Sequence, residues 1–252
     1  KLHLNCEIGK DKKVSDLEEE FDAIYLGIGA TSSNKVNIEG ENVSNVHFAI
    51  DFLTGIQKRN LGDKNVECIN VEDKRVVVIG GGDTAMDCVR TSVREGAQTV
   101  KCLYRRDEVN MPGSKKEVVN AKEEGVEFVF NVSPKSIKVK DNSAFAVELL
   151  ETSMSEPDGS GRQKVVVNQG SEYLEEADVV ILALGFSPET PTFLKELNVE
   201  TNSWGAVVVN SEFKTSNKKV YAGGDCQRGA HLAVTAAADG REAAKAIIKD
   251  LL

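Results

Sequence analysis

The sequence predicts an α/β fold with a parallel sheet, and three observations carry that prediction. Residues 74–79 (KRVVVI) form a continuous apolar run, the pattern of a strand covered on both faces. The run ends in Gly80-Gly81-Gly82, and residues 83–95 then place Ala85, Cys88, Val89, Ser92 and Val93 on one helical face. Residues 99–104 read as a second strand. Strand, glycine loop, helix and strand in that order make a βαβ unit, which folds right-handed with its strands parallel.

The other elements follow from either side of this unit. Residues 1–11 (KLHLNCEIGKD) predict a strand and a turn. Residues 21–30 (FDAIYLGIGA) are a short apolar run ending in glycine, the mark of a buried strand. A loop (SSNKVNIEGENVSN) leads into a predicted helix over 46–57. After the βαβ unit, Gly96 is placed to end its helix. Ser114 starts another helix, with Ser114 and Glu117 spaced as a capping box, and that helix ends near Gly125. Residues 126–130 form a third strand. Residues 135–172 alternate apolar and polar around the turn clusters DNS and EPDGSG, which predicts an antiparallel meander. Residues 177–184 (ADVVILAL) repeat the strand-then-glycine pattern, residues 220–225 (VYAGGD) form a short strand, and an alanine-rich helix fills 231–252.

Composition excludes several functions. The net charge of −9 argues against nucleic-acid and anionic-membrane partners, which require clustered positive charge. No apolar run approaches the roughly 18 residues of a membrane span, and the opening residues lack the basic-then-apolar pattern expected of a signal peptide. Cys6, Cys68, Cys88, Cys102 and Cys226 form no Cys-x-x-Cys and no metal-ligand spacing, so neither a metal site nor a redox dithiol is expected. Scattered thiols of this kind suit a reducing, cytoplasmic setting. With no initiator methionine, the 252 residues are expected to be part of a longer protein.

The glycine loop is the most specific motif. In Gly80-x-Gly82-x-x-Ala85 the first glycine makes the tight turn, and the second lets the backbone approach a pyrophosphate. The third small residue permits close helix–strand packing, and the phosphates face the positive helix end. Gly27-x-Gly29-x-x-Ser32 has similar spacing but no helix behind it, so it reads as a turn at a sheet edge. NAD sites place Asp or Glu at the end of the second strand, whereas this chain has Tyr104-Arg105-Arg106 there. Two guanidiniums suit a 2′-phosphate, Lys115 and Lys116 add positive charge, and NADPH is the expected nucleotide. Glu117 serves as a capping carboxylate, as a ribose contact, or as both. Asp225 follows a strand-terminal Gly-Gly just ahead of a helix, where a carboxylate can accept sugar hydroxyls. No Ser/His/Asp or Cys/His arrangement stands out, and no catalytic acid or base is assigned.

The stretch VVVIGGGDTAMDCVRTSVREGA with VKCLYRRDEVNMPGSKKEV resembles the small (beta) subunits of bacterial NADPH-dependent glutamate synthase. So do EEGVEFVFNVSP, ADVVILALGFSPE and VYAGGDCQRGAHLAVTAAADGREAA, and the similarity runs along the whole chain. Dihydropyrimidine dehydrogenase and adrenodoxin reductase belong to the same superfamily. The resemblance implies a flavoprotein with two dinucleotide-binding domains, the Rossmann-like NADPH domain (45–185) being inserted between two pieces of a partial FAD domain (1–44 and 186–252). It places Gly80, Gly81, Gly82, Asp83 and Thr84 at the NADPH pyrophosphate, with Arg105, Arg106 and Glu117 at the adenosine end. It places Gly224 and Asp225 at the FAD ribityl chain, Ala230, His231, Leu232 and Ala233 along the isoalloxazine, and the turns at Gly29 and Gly185 against the cofactors. The family's FAD fingerprint and its cysteine-rich iron–sulfur domain have no counterpart in this sequence, so the FAD site is expected to be incomplete here.

The reaction this implies is hydride transfer from NADPH to FAD, with electrons passing on to the large glutamate synthase subunit or another iron–sulfur acceptor. Cofactors carry the hydride chemistry, and the protein supplies orientation and exclusion of water. Two rivals remain: a related NADPH flavoprotein serving a pyrimidine reductase or a ferredoxin, and a nucleotide-binding module without turnover.

Overall fold

Two units share the chain in the computed structural model, which describes residues 1–157, 159 and 163–252. Part of the predicted turn EPDGSG therefore lies outside the described residues. The larger unit is Ser33–Gly185, and the smaller combines Lys1–Ser32 with Phe186–Leu252. The first boundary thus falls at 32/33 rather than at the expected 44/45. The reason is packing: Val36, Ile38 and Val43 lie against the larger unit's core, and Glu39 accepts a 2.8 Å hydrogen bond from the Ile137 N–H.

The larger unit contains β1 (Val46–Phe48), α1 (Ala49–Asn60), β2 (Arg75–Ile79), α2 (Asp83–Arg94), β3 (Thr99–Tyr104), α3 (Lys115–Glu123) and β4 (Glu127–Phe130). The antiparallel strands β5 (Val132–Lys140), β6 (Ser143–Met154), β7 (Val165–Val167) and β8 (Tyr173–Glu176) come next, and β9 (Val179–Leu182) returns to the parallel sheet. That sheet has the order β1-β9-β2-β3-β4, with Val76 opposite Val100 and Val179 opposite Val76. Its central strands explain the unbroken apolar runs. Val76, Val78, Cys102 and Ile181 face the helices, packing with Phe52, Met86, Val89 and Ala121. The alternate residues Val77, Ile79, Leu103, Val180 and Leu182 face the meander, packing with Ile137, Val147 and Leu149. Both faces are covered, so neither set can be polar.

Two other expectations require correction, and one helix is new. Val46–Phe48 is a strand paired with β9, and the helix begins only at Ala49. Residues 1–7 form no strand and are exposed. A helix at Val14–Glu20, buried through Val14, was not predicted.

In the smaller unit Ile24–Leu26 pairs in parallel with Val220–Ala222. Leu26, Val14, Leu194, Leu197, Val220 and Cys226 share one apolar cluster. The alanine-rich helix Ala233–Leu251 closes the chain, with Asp239 and Ala243 as its buried residues. Among the described residues, no helix is long and apolar enough to cross a membrane.

Candidate functional site

A cleft of about 590 Å³ opens in the larger unit where β2, β3 and β9 end, lined by Gly80–Gly82, Thr84, Arg105 and Ala183–Gly185 among others. Ligands of open α/β sheets bind at these carboxyl ends. The glycines have separate packing reasons. Gly80 has φ +151°, and a Cβ there would stand 2.2 Å from the Ala183 carbonyl oxygen. A Cβ on Gly81 would stand 2.3 Å from the buried Tyr104 ring. A Cβ on Gly82 would meet nothing within 4 Å, so this residue leaves open space at the start of α2. The first N–H groups of a helix lack intrahelical partners, and those of α2 begin at this space.

The segment after β3 closes over the loop. Gly113 N–H donates to the Gly81 carbonyl at 3.0 Å, and Pro112 lines the cleft. Asp83 accepts the Ser114 N–H at 2.7 Å, so its carboxylate anchors α3 and its backbone is the part left for a phosphate. Arg105 lines the cleft, while the Arg106 Nε is buried and has no hydrogen-bond partner in the structure. A buried cationic donor without an acceptor is costly unless an anion completes it. Lys115 and Lys116 are exposed in the first turn of α3.

Glu117 is placed differently. It pairs with Arg90 of α2 and accepts a 3.4 Å bond from Asn120 Nδ2, and it does not line the cleft. Ser114 makes no side-chain cap, so the capping box does not form, because Arg90 takes the carboxylate. Burial pushes the Cys102 thiol up to about 12, and this thiol donates to the Gly80 carbonyl at 3.3 Å as an inert packing group.

The smaller unit gathers the other predicted residues. Gly29 and Gly224 have φ +73° and +74°, conformations that favour glycine. Gly224 N–H donates to Asp239 Oδ2 at 2.9 Å, and Arg228 Nε donates to the same oxygen at 2.8 Å. This ion pair clamps the Gly223-Gly224-Asp225 turn to the final helix. Asp225 Oδ1 is buried without a partner, an acceptor awaiting a donor. The Ile28 and Gly29 backbone amides face the Cys226 thiol, which also lies 3.4 Å from the Gly223 carbonyl oxygen. Ala230, His231, Leu232 and Ala233 form a consecutive exposed stretch, with His231 Nδ1 2.6 Å from Thr235 Oγ1.

Gly80–Gly82, Thr84, Arg105 and Gly185 therefore share the cleft, whereas Gly29, Gly224 and Asp225 belong to the smaller unit. Sequence reasoning missed Val36, Ser133 and Pro134, which line the cleft, and the Arg228–Asp239 clamp. No local pattern marks the cleft residues, which are far from the glycine loop in sequence. Among the described residues, no group of three His, Cys, Asp or Glu could hold a metal ion.

The sequence matches the family described as pyridine nucleotide-disulphide oxidoreductase over residues 4–240. It is 47% identical to the small chain of NADPH glutamate synthase from Escherichia coli, over 97% of this chain and 54% of that protein. It is 39% identical to the beta subunit of an NADPH-Fe(3+) oxidoreductase from Geobacter sulfurreducens, over 80% of this chain and 29% of that one. The chain thus spans about half the length, or less, of these curated relatives. The structure of FprA from Mycobacterium tuberculosis in complex with NADPH is similar in fold, with a TM-score of 0.79 at 19% identity, covering 98% of this chain and 67% of that one.

Proposed function

The chain belongs to the pyridine nucleotide-disulphide oxidoreductase family, and from that premise we propose that it is part of an NADPH-dependent flavoprotein oxidoreductase of the glutamate synthase small-chain type. The observation that carries this reading is the buried, unpartnered Arg106 Nε at the end of β3, one residue from Arg105 in a cleft whose glycine loop leaves open space at a helix N-terminus. An anionic dinucleotide with a 2′-phosphate fits all three features. Gly80–Gly82 and Thr84 would hold the pyrophosphate, and Arg105 and Arg106 the 2′-phosphate. In the smaller unit, Asp225 would accept ribityl hydroxyls of FAD, its orphaned oxygen being the matching acceptor.

When bound, NADPH supplies a hydride and FAD accepts it. The chain's own residues bind, orient and exclude water, and none is assigned as acid or base. Despite the family's name, a disulphide is a poor acceptor candidate, since the chain has no Cys-x-x-Cys and burial raises the pKa of Cys88, Cys102 and Cys226. The proposed acceptor is an iron–sulfur group on a large subunit or another partner, in a cytoplasmic setting. The Geobacter relative, named for Fe(3+) reduction, supports a second reading in which the same core serves a different acceptor.

Calorimetric titration with NADPH and NADH tests the nucleotide, and the absorbance spectrum of the purified chain tests the flavin. We expect tighter NADPH binding and less than one equivalent of FAD. Equal affinities would remove the 2′-phosphate assignment, and a full flavin band would show that the residues present suffice for FAD.

A further inference from the structure

Arg105 and Arg106 lie beyond the end of β3, yet successive backbone carbonyls of this pair are both held. The Asn131 N–H donates to the Arg106 carbonyl at 3.1 Å. The Asn131 carbonyl accepts the Thr152 N–H at 2.7 Å. The Thr152 hydroxyl donates to the Arg105 carbonyl at 3.0 Å, which closes the circuit. Asn131 can turn the chain between β4 and β5 because it sits at φ +57°, a conformation asparagine tolerates. Thr152 is 5% exposed, so its hydroxyl is largely shielded from solvent. The circuit ties the antiparallel meander to the origin of both arginine side chains.

We propose that Thr152 is a specificity-determining positioning residue, which sets the preference for a nucleotide bearing a 2′-phosphate by fixing where the Arg105 and Arg106 side chains begin. The inference rests on reading the cleft as an NADPH site. Guanidinium–phosphate bonds are directional and often bidentate, so they lose strength when the backbone beneath them shifts. A nucleotide without the 2′-phosphate makes no such bond and is indifferent to that shift. Thr152 does not line the cleft and would act only through the Arg105 carbonyl and Asn131.

The test is calorimetric titration of the 252-residue chain and its Thr152→Val and Thr152→Ser variants with NADPH and NADH. Valine keeps the shape and removes the hydroxyl. It is expected to weaken NADPH about three- to tenfold, the scale of one hydrogen bond, and to change NADH less than about twofold. Serine restores the hydroxyl and is expected to restore NADPH affinity. If the valine variant does not fold, Thr152→Cys, a much weaker donor, is read in the same way. Equal weakening of both nucleotides, or an unchanged preference in a parent that favours NADPH, overturns the positioning role alone. A parent with no preference overturns the cleft reading and this inference together.

Discussion

The two units expose the same kind of unfinished chemistry but build it by opposite means. In the larger unit an orphaned donor, Arg106 Nε, belongs to a frame of strands buried on both faces. In the smaller unit an orphaned acceptor, Asp225 Oδ1, follows a single pair of short strands and a turn held by the Arg228–Asp239 ion pair. One frame is apolar packing around glycine, and the other is a charge clamp. The signs differ as well: a cationic donor suits phosphate, whereas an anionic acceptor suits sugar hydroxyls. Packing holds its geometry across pH and salt, while an ion pair is a local tie that one substitution removes. The comparison can be broken at four places.

The largest effect is expected at Gly82. A Cβ there meets nothing within 4 Å, so with valine the larger unit should keep its melting temperature. The branched side chain fills the space where phosphate would approach, and NADPH affinity should fall more than about 100-fold, since the backbone contact with the pyrophosphate is lost. Thermal melts with and without NADPH check it. Undiminished stabilisation by NADPH would mean the phosphates lie elsewhere. Gly81→Ala is the packing counterpart, because its Cβ strikes the Tyr104 ring and the melt itself should fall.

Next comes the arginine pair. Arg105→Ala with Arg106→Ala should cost about 1.5 to 3 kcal/mol of NADPH binding, the range for hydrogen bonds to charged groups, and leave NADH nearly unchanged. Calorimetry with both nucleotides decides, and parallel losses would make the pair a general attraction rather than a 2′-phosphate reader.

The clamp in the smaller unit supplies the third test. Asp239 is buried while Arg228 is about one-third exposed, so Asp239→Asn should cost about 1 to 2 kcal/mol locally. Hydrogen exchange at the Gly224 N–H, which Asp239 accepts, should speed up by about tenfold, and NADPH affinity should not move. Slow exchange in the variant would mean that packing, not charge, holds this turn.

How much of this was legible in the sequence follows the same division. The run at 74–79 was readable because burial on both faces leaves no polar interruption. The glycine loop was readable because backbone approach and close packing demand glycine itself. Val36, Ile38 and Val43 were not assigned to the larger unit because each packs singly from an otherwise polar loop. Glu117 has capping-box spacing, but Arg90, on another helix, claims it in three dimensions. Arg228 and Asp239 meet because a turn folds back on a helix, and no periodicity announces such a pair. Local patterns thus reveal what neighbours in sequence must satisfy, and partners from elsewhere in the fold decide the rest.

The smallest effect is expected from an ion pair at the start of the larger unit's parallel sheet, Arg75 with Asp178. Asp178, just ahead of β9, accepts the Arg75 backbone N–H at 2.9 Å, its Nε at 2.9 Å and its Nη2 at 2.7 Å. The hydrogen bonds from the Arg75 guanidinium, chiefly, hold the Asp178 carboxyl down at about 2. The folded form therefore releases its proton more readily than the unfolded chain, whose aspartates titrate near pH 4. Between those values the unfolded state binds more protons, so the pair's contribution is complete above about pH 4 and fades as pH falls toward 2. Both side chains are more than one-third exposed, which limits the contribution to under about 1 kcal/mol. Asp178→Asn should lower the melting temperature slightly at pH 7, and the gap from the parent should close as the pH approaches 2. A gap that persists at that pH would place the stabilisation in the neutral hydrogen bonds to Arg75 rather than in its charge. The sheet would then owe as little to ionisation as its apolar faces do.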